Sequence, residues 1–85
     1  MRLTIYSKPG CHLCDEMKAL VTRTIQNRAG TTLEEIDISD DPALLAVYEL
    51  EIPVLLVDGK KAAKYRITEA ELSRKLSGVR ALTPD

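Results

Sequence analysis

Apolar and polar residues alternate at the start of the chain, and further along they recur with a different period. Over Arg2–Tyr6 every second residue is apolar, with Leu3 and Ile5 on the same face. A period of two predicts a half-buried strand, and the turn-forming residues of Ser7–Gly10 end it. From Cys11 to Ala29 the apolar residues recur three or four positions apart, which predicts a helix. That helical face consists of Leu13, Met17, Leu20, Val21 and Ile25.

The second half of the chain contains shorter elements with recognisable boundaries. Leu33–Ile38 predicts a second strand, and Asp-Asp-Pro at residues 40–42 predicts a short helix with an aspartate N-cap and a proline in its first turn. The continuous apolar run Val54–Val57 predicts a strand that is covered on both faces. Asp58-Gly59 predicts a hairpin turn that leads into a partner strand over Lys61–Arg66.

A last helix is predicted by the capping-box sequence Thr68-Glu69-Ala70-Glu71, which Ile67 and Leu72 flank at the positions of a hydrophobic staple. The order of elements is then β-α-β-α-β-β-α, and we expect residues 1–85 to form a single domain. Parallel pairing through the two crossover helices, followed by one hairpin, gives a four-stranded mixed sheet with helices on both faces. The predicted fold class is α/β.

The composition and net charge of the chain exclude several classes of partner. The chain is 45% hydrophobic and 29% charged, with a formal net charge of −1. It contains no long basic run, so nucleic acid is not an expected partner. The longest apolar run, Ile52–Val57, is too short to cross a bilayer, and no secretory signal precedes the first strand. We therefore expect a cytoplasmic monomer with no membrane partner.

Cys11 and Cys14 are the only cysteines, and they lie where the first predicted helix begins. Residues three apart on a helix share a side, so the two sulfurs can reach bonding distance. The unpaired amides of a helix start favour the thiolate, which is the nucleophile of disulfide exchange. In the cytosol such a pair is more often catalytic or metal-binding than a static disulfide. We predict that Cys11 attacks a substrate disulfide and that Cys14, one turn further, resolves the mixed disulfide.

Other uses of the cysteine pair stay open at this point. One is a structural disulfide or a pair of inert thiols. Another is a metal or iron–sulfur site, although zinc usually takes four ligands and His12 alone adds to the pair within one chain, so we assign no metal-ligating residue. A cluster shared between two chains, or a non-catalytic binding module, is therefore the alternative function. Turnover of a model disulfide, absent from a Cys11→Ser variant, separates the two functions.

Two further features lie near the cysteines. Lys8 places a cation three residues before Cys11. The segment Glu51-Ile52-Pro53-Val54 puts a proline at the start of the apolar strand, where its missing N–H is tolerated. Taken alone, this segment favours a trans peptide bond, because cis bonds before proline are the minority.

Three features of the sequence together resemble the thioredoxin fold. They are the Cys-x-x-Cys sequence that opens the first helix, the Ile-Pro-Val sequence that opens the third strand, and the order of the elements. The small size resembles its glutaredoxin branch, over residues 2–78. The resemblance implies an oxidoreductase that reduces protein or small-molecule disulfides through Cys11 and Cys14, in electron transport and cell redox homeostasis. It implies no bound cofactor, with glutathione or a reductase as electron donor. It also implies a cis Pro53 packed against the cysteines, hydrogen bonds from the Ile52 backbone to a thiol substrate, and Lys8 beside a glutathione carboxylate.

The chain departs from the glutaredoxin pattern at two places. His12-Leu13 stands between the cysteines where glutaredoxins usually carry Pro-Tyr, and Arg66-Ile67 stands where they usually carry a Gly-Gly turn. We expect a reshaped groove in which the backbone amides of Thr68 and Glu69 receive an anionic group of the substrate.

Overall fold

The computed structural model describes the backbone of residues 1–82 and the side chains of residues 1–77. The elements are β1 (Arg2–Ser7), α1 (His12–Ile25), β2 (Thr32–Asp37), α2 (Pro42–Tyr48), β3 (Val54–Val57), β4 (Lys60–Lys64) and α3 (Glu69–Leu82). A 3₁₀ turn over Ile38–Asp40 connects β2 to α2. The predicted order of elements is confirmed. None of the helices over residues 1–82 is long and apolar enough to span a membrane.

The four strands form one mixed sheet in the order β2-β1-β3-β4. β1 is parallel to β2, and β3 is antiparallel to both of its neighbours, β1 and β4. The mixed sheet is confirmed, but the parallel pairing expected from the second crossover is wrong, because β3 pairs with β1 and runs antiparallel to it. β3 is apolar on both faces and takes an interior position, whereas β2, which carries Glu34 and Glu35, lies at an edge where charged side chains are tolerated.

Two elements end earlier than the apolar pattern predicts. α1 stops at Ile25 and not at Ala29. Its last turn contains β-branched residues, and the Thr24 hydroxyl donates to the Leu20 carbonyl (2.8 Å), so this turn has low helix propensity. β4 stops at Lys64 and not at Arg66, because Tyr65 adopts a left-handed backbone with φ of 68°.

The core lies between one face of the sheet and the helices α1 and α3. Among the side chains of residues 1–77, the buried members of this core are aliphatic apart from Met17, as expected of a chain without phenylalanine or tryptophan. α2 lies on the opposite face, where the rings of Tyr6 and Tyr48 stack with their centroids 4.8 Å apart. The buried core residues are Leu3, Ile5, Met17, Val21, Leu55, Leu72 and Leu76.

Short polar motifs define the turns and helix starts as predicted. Asp58 and Gly59 both have positive φ, 50° and 85°, as a type I′ hairpin turn requires. Thr68 and Glu71 form the reciprocal hydrogen bonds of a capping box, and Ile67 packs against the core cluster that contains Leu72.

The N-cap of α2 provides a test of these local signals. The Asp41 carboxylate accepts hydrogen bonds from the amides of Ala43 (3.0 Å) and Leu44 (3.1 Å). We expect Asp41→Ala to lower the free energy of unfolding by about 1 kcal/mol, measured by urea denaturation, because two amides lose their acceptor. Asp40→Ala is the matched control, since Asp40 is an exposed neighbour of the same charge, and it should change the free energy by less than about 0.5 kcal/mol. Equal effects of the two substitutions would contradict the capping role.

Candidate redox site

The loop between β1 and α1 places Cys11 immediately before the first residue of the helix. The Cys11 amide donates to the Lys8 carbonyl (3.3 Å), which closes a tight turn, and Gly10 supplies the positive φ of 78° that the turn requires. Cys11 has an extended backbone (φ −89°, ψ 109°), and its carbonyl accepts the first helical hydrogen bond, from the Asp15 amide (3.1 Å). Cys11 is therefore the N-cap residue of α1.

Cys11 and Cys14 are disulfide-bonded, with their Cα atoms 5.2 Å apart. The Cys14 amide points at the Cys11 sulfur, with 3.1 Å between N and Sγ. An N–H aimed at a sulfur stabilises negative charge there, as at other helix starts. Cys11 is partly exposed, whereas Cys14 is buried with 1% of its surface accessible. The burial agrees with the expected order of attack, and the two catalytic roles stay predictions.

The segment before β3 has the backbone geometry that the resemblance implies. The Ile52–Pro53 peptide bond is cis, and Pro53 is fully buried. The Pro53 carbonyl accepts a hydrogen bond from the Tyr65 amide (2.8 Å). The Ile52 amide already donates to the Tyr48 carbonyl (3.1 Å), so a substrate that uses this N–H has to replace that bond. The role of Ile52 in substrate binding stays a prediction, as does the packing of Pro53 against the cysteines.

Tyr65 attaches the end of β4 to this segment, a role that the sequence analysis missed. In addition to the backbone bond to Pro53, its hydroxyl donates to the Leu50 carbonyl (2.9 Å). A left-handed backbone is uncommon for a residue other than glycine, asparagine or aspartate, and nothing in the sequence around Tyr65 signals it. Tyr65 therefore fixes the segment Leu50–Pro53 at two points.

Lys8 and His12 flank Cys11 but lie in different surroundings. The Lys8 ammonium is 3.7 Å from a carboxylate oxygen of Glu49, and about one third of the side chain is exposed. His12 is 85% exposed, and its Nε2 is 3.0 Å from the carboxylate of Glu16. Neither contact involves a sulfur atom. The predicted contact of Lys8 with a glutathione carboxylate stays a prediction.

Thr68, the other predicted anion-binding residue, is engaged by its own helix. Its amide (3.0 Å) and its hydroxyl (3.1 Å) both contact the Glu71 carboxylate. These contacts hold the pKa of Glu71 below its usual range. An anionic substrate group at Thr68 therefore has to displace a carboxylate that already occupies the site. The role of Thr68 in substrate binding stays a prediction, and it requires that the substrate displace the Glu71 carboxylate.

A polar cluster lies beneath the loop that carries Cys11. The buried Ser7 hydroxyl donates to one oxygen of Glu35 (3.0 Å), and the Lys18 ammonium contacts the other (2.8 Å). The hydrogen bond from Lys18 holds the pKa of Glu35 below its usual range, with a further contribution from Ser7, against the opposing effect of burial. The same bond raises the pKa of Lys18. The cluster joins β1, β2 and α1.

We expect this cluster to make folding stability pH-dependent in acid. Because the pKa of Glu35 is lower in the folded chain than in the unfolded chain, its contribution is complete above the unfolded value of about 4.3 and is lost as the pH falls through the folded value. Urea denaturation between about pH 6 and pH 3 should therefore show a smaller loss of stability in Glu35→Gln than in the wild type. Glu34→Gln, at the neighbouring position on the same strand, is the control and should follow the wild type. A Glu34 effect as large as that of Glu35 would contradict the assignment.

A groove opens between α1 and the loop that connects β4 to α3, and one of its lining residues, Leu13, lies between the two cysteines in sequence. Its volume is about 370 Å³, and its walls are formed by Leu13, Met17 and Leu20 on one side and by residues 65–68 on the other. Among the side chains of residues 1–77, no three His, Cys, Asp or Glu groups are arranged to hold a metal ion. α1, the helix that Cys11 begins, therefore contributes Leu13, Met17 and Leu20 to the groove and Lys18 to the Ser7–Glu35–Lys18 cluster.

Comparison with known proteins agrees with this geometry. The family model of the glutaredoxin-like domain (DUF836) matches residues 2–77. The glutaredoxin-like protein YDR286C homolog of Dictyostelium discoideum is 29% identical over 77 residues, which cover 85% of this chain and 71% of that protein. The crystal structure of protein XcR50 from X. campestris matches with a TM-score of 0.73 and 31% identity, over 89% of this chain and 96% of that one.

Two further solved structures extend the comparison. Protein Ne2328 from Nitrosomonas europaea matches with a TM-score of 0.70 and 30% identity, over 87% of this chain and 88% of that one. A thioredoxin from Halobacterium salinarum matches with a TM-score of 0.63 over 98% of this chain and 77% of its own, and at 21% identity it bears on the fold alone. This chain, with its Cys-x-x-Cys pair at a helix start, has the thioredoxin fold and belongs to the glutaredoxin-like domain (DUF836) family.

Proposed function

We propose that this protein is a thiol–disulfide oxidoreductase that reduces protein or small-molecule disulfides through Cys11 and Cys14. The observation that carries the proposal is the disulfide between a partly exposed N-cap cysteine and a buried cysteine one turn later. The Cys14 amide, 3.1 Å from the Cys11 sulfur, supports Cys11 as the nucleophile, because it stabilises the thiolate that attacks. An inert structural disulfide has no need of this asymmetry in exposure.

The reaction proceeds in two exchanges. The Cys11 thiolate attacks one sulfur of the substrate disulfide, a bond forms between the two sulfurs, and the other substrate sulfur leaves as a thiolate that takes a proton from solvent. Cys14 then loses its proton and attacks the Cys11 sulfur, which releases the second substrate thiol. The substrate gains two electrons and two protons, and Cys11 and Cys14 are left as the disulfide. Glutathione or a reductase returns the pair to the dithiol in this proposal.

Lys8, Ile52, Pro53 and Thr68 form the proposed substrate surface around the pair. Lys8 supplies positive charge, and its partner Glu49 is 3.7 Å away, longer than a direct hydrogen bond, so an incoming carboxylate can compete for it. Ile52 offers its carbonyl, because its amide is already bonded to Tyr48. The proposed activity requires a compartment in which thiols are kept reduced, which favours the cytoplasm, and we propose that the protein acts there as a monomer.

Equilibration in a series of glutathione redox buffers tests the proposal. After acid quenching and alkylation, peptide mass mapping reports the state of Cys11 and Cys14 at each buffer potential. We expect one reversible two-electron transition between the dithiol and the disulfide, and a glutathione adduct on Cys11 when Cys14 is replaced by serine. A reversible disulfide without any glutathione adduct still supports an oxidoreductase, and it indicates that a reductase is the electron donor. If both thiols stay reduced and unreactive in every buffer, the proposed function is wrong.

A further inference from the structure

Tyr65 is the central residue of a turn that residues other than glycine rarely adopt. Its backbone φ is 68°, and the amide of Arg66 donates to the carbonyl of Lys64 (2.8 Å) across it. A hydrogen bond between residues two apart around a positive φ defines a γ-turn of the strained kind. The other positive-φ residues that the structure describes are three glycines and Asp58. Strain of this kind persists only where the surrounding structure holds it, and it is concentrated at functional sites.

The contacts of Tyr65 hold this turn against the segment Leu50–Pro53. The Tyr65 amide donates to the Pro53 carbonyl (2.8 Å), and the Tyr65 hydroxyl donates to the Leu50 carbonyl (2.9 Å). Glycine would adopt the turn without strain, but it has no hydroxyl and could make only the first of these contacts. The side chain is therefore needed for the contact with Leu50 and not for the turn itself.

The same contacts determine which backbone groups of the segment Leu50–Pro53 stay free. Tyr65 occupies the first and the last carbonyl of the segment. The amides of Glu51 and Ile52 both donate to the carbonyl of Tyr48 (2.8 and 3.1 Å). Within the described part of the chain, no hydrogen bond reaches the two inner carbonyls, those of Glu51 and Ile52. Both residues are partly exposed, and an unpaired carbonyl is an acceptor for an N–H of a bound molecule.

The direction of these two carbonyls depends on how the segment is anchored. Residues 49–53 form neither helix nor strand, so no regular ladder of hydrogen bonds fixes their backbone. The Lys61–Glu51 ion pair (2.7 Å) also reaches the segment, but it joins two surface side chains, and such pairs contribute little. The Tyr65 hydroxyl is bonded to the backbone itself. Because a hydrogen bond weakens steeply when its groups lose alignment, loss of this anchor weakens a bond that the Ile52 carbonyl accepts.

We propose that Tyr65 is a positioning residue of the redox site. Its hydroxyl holds the segment Leu50–Pro53 so that the Ile52 carbonyl accepts an N–H beside the reacting cysteine of a peptide substrate. The strained turn is retained because it brings this hydroxyl to the carbonyl of Leu50. This inference rests on the proposed function, in which Ile52 contacts the substrate, and it favours disulfides within polypeptides over small disulfides that have no amide.

The test uses one peptide disulfide in two forms. The first is the disulfide of acetyl-Ala-Cys-Ala-amide, and the second carries N-methyl groups in place of the N–H on the cysteine and on the alanine after it. Reduced protein reacts with increasing concentrations of each in single turnovers. For the wild type we expect a half-saturating concentration about threefold to tenfold lower for the N–H peptide, as one hydrogen bond provides. Tyr65→Phe should remove most of this preference and keep the maximal rate within about twofold.

Two further variants complete the design. Tyr6→Phe is the matched control, because the Tyr6 hydroxyl makes no hydrogen bond among residues 1–77, and it should keep the full preference. Tyr65→Gly removes the strain and the hydroxyl together, so it should lose the preference as Tyr65→Phe does. Neither variant of Tyr65 should change the rate with 2-hydroxyethyl disulfide, which has no amide, by more than about twofold.

The proposal is overturned if Tyr65→Phe slows both peptides equally, which would show a purely structural role, or if either variant of Tyr65 keeps the full preference. A separate outcome distinguishes this inference from the proposed function. Reduction of both peptides by the wild type without any preference for the N–H form rejects the role of Tyr65 and leaves the oxidoreductase in place. Failure of the wild type to reduce any disulfide rejects both.

Discussion

Cys14→Ser is expected to accumulate mixed disulfides with substrate, and Cys11→Ser is expected to form none. Cys11 is partly exposed and accepts the Cys14 amide at its sulfur, so it can meet a substrate and carry the attacking charge. Cys14 has 1% of its surface accessible, so a bulky substrate disulfide cannot reach it, whereas the Cys11 sulfur of a mixed disulfide lies within its range, because the two cysteines form a disulfide. Loss of the nucleophile should lower turnover of 2-hydroxyethyl disulfide on the order of 10³-fold or more.

Mass spectrometry of the intact alkylated variants measures the trapped adducts, and a coupled assay with glutathione or a reductase measures turnover. His12→Gln is the matched control, because this residue lies between the two cysteines and is 85% exposed. It should keep turnover within about threefold of the wild type, since solvent-exposed ion pairs contribute little. Equal trapping by the two cysteine variants would reject the assignment of roles.

Features that depend on neighbouring residues could be predicted from the sequence. The capping box at Thr68, the aspartate N-cap of α2 and the Asp58-Gly59 turn each form through bonds or backbone angles within a few residues. The position of Cys11 at a helix start follows from the same kind of local signal. The cis bond at Pro53 came from the family resemblance, because the local preference alone favours trans.

Features that depend on distant residues could not be predicted. Ser7 and Glu35 are 28 residues apart, and Tyr65 and Leu50 are 15 apart, so their contacts exist only after the sheet has formed. The position of β3 beside β1 is of the same kind. A strand that is apolar on both faces requires an interior position, but its sequence does not specify which neighbour it takes.

Thr68 shows how two sequence-based predictions can compete for one group. The capping box assigns the Thr68 amide to Glu71, and the anion-binding hypothesis assigns the same amide to a substrate. Both rest on the unpaired amides of a helix start, and an intramolecular carboxylate has the advantage of being tethered three residues away. Where the resemblance to glutaredoxins suggests an anion site at the start of α3, this chain already supplies the anion.

Leu55→Ala is expected to be the most destabilising of the single substitutions considered for the fold. Leu55 lies in the interior strand β3, opposite Ile5 on β1 and Ala63 on β4, and none of its surface is accessible. Truncation of a buried leucine removes the transfer free energy of its methyl groups and leaves a cavity, which together cost about 3 kcal/mol. A domain of this size has a total stability of about 4–13 kcal/mol, so this loss is a large fraction of it.

Urea denaturation followed by far-UV circular dichroism measures the effect. With a slope of about 1–2 kcal/mol per molar urea, the midpoint should fall by roughly 2 M while the slope stays constant. Leu50→Ala is the matched control, because it removes the same atoms from a side chain that is 86% exposed and leaves intact the carbonyl that Tyr65 contacts. Its effect should lie within about 0.5 kcal/mol of zero. A Leu55→Ala effect below about 1 kcal/mol would show that the core relaxes to fill the cavity, and that the Cys-x-x-Cys helix is not held by close packing against β3.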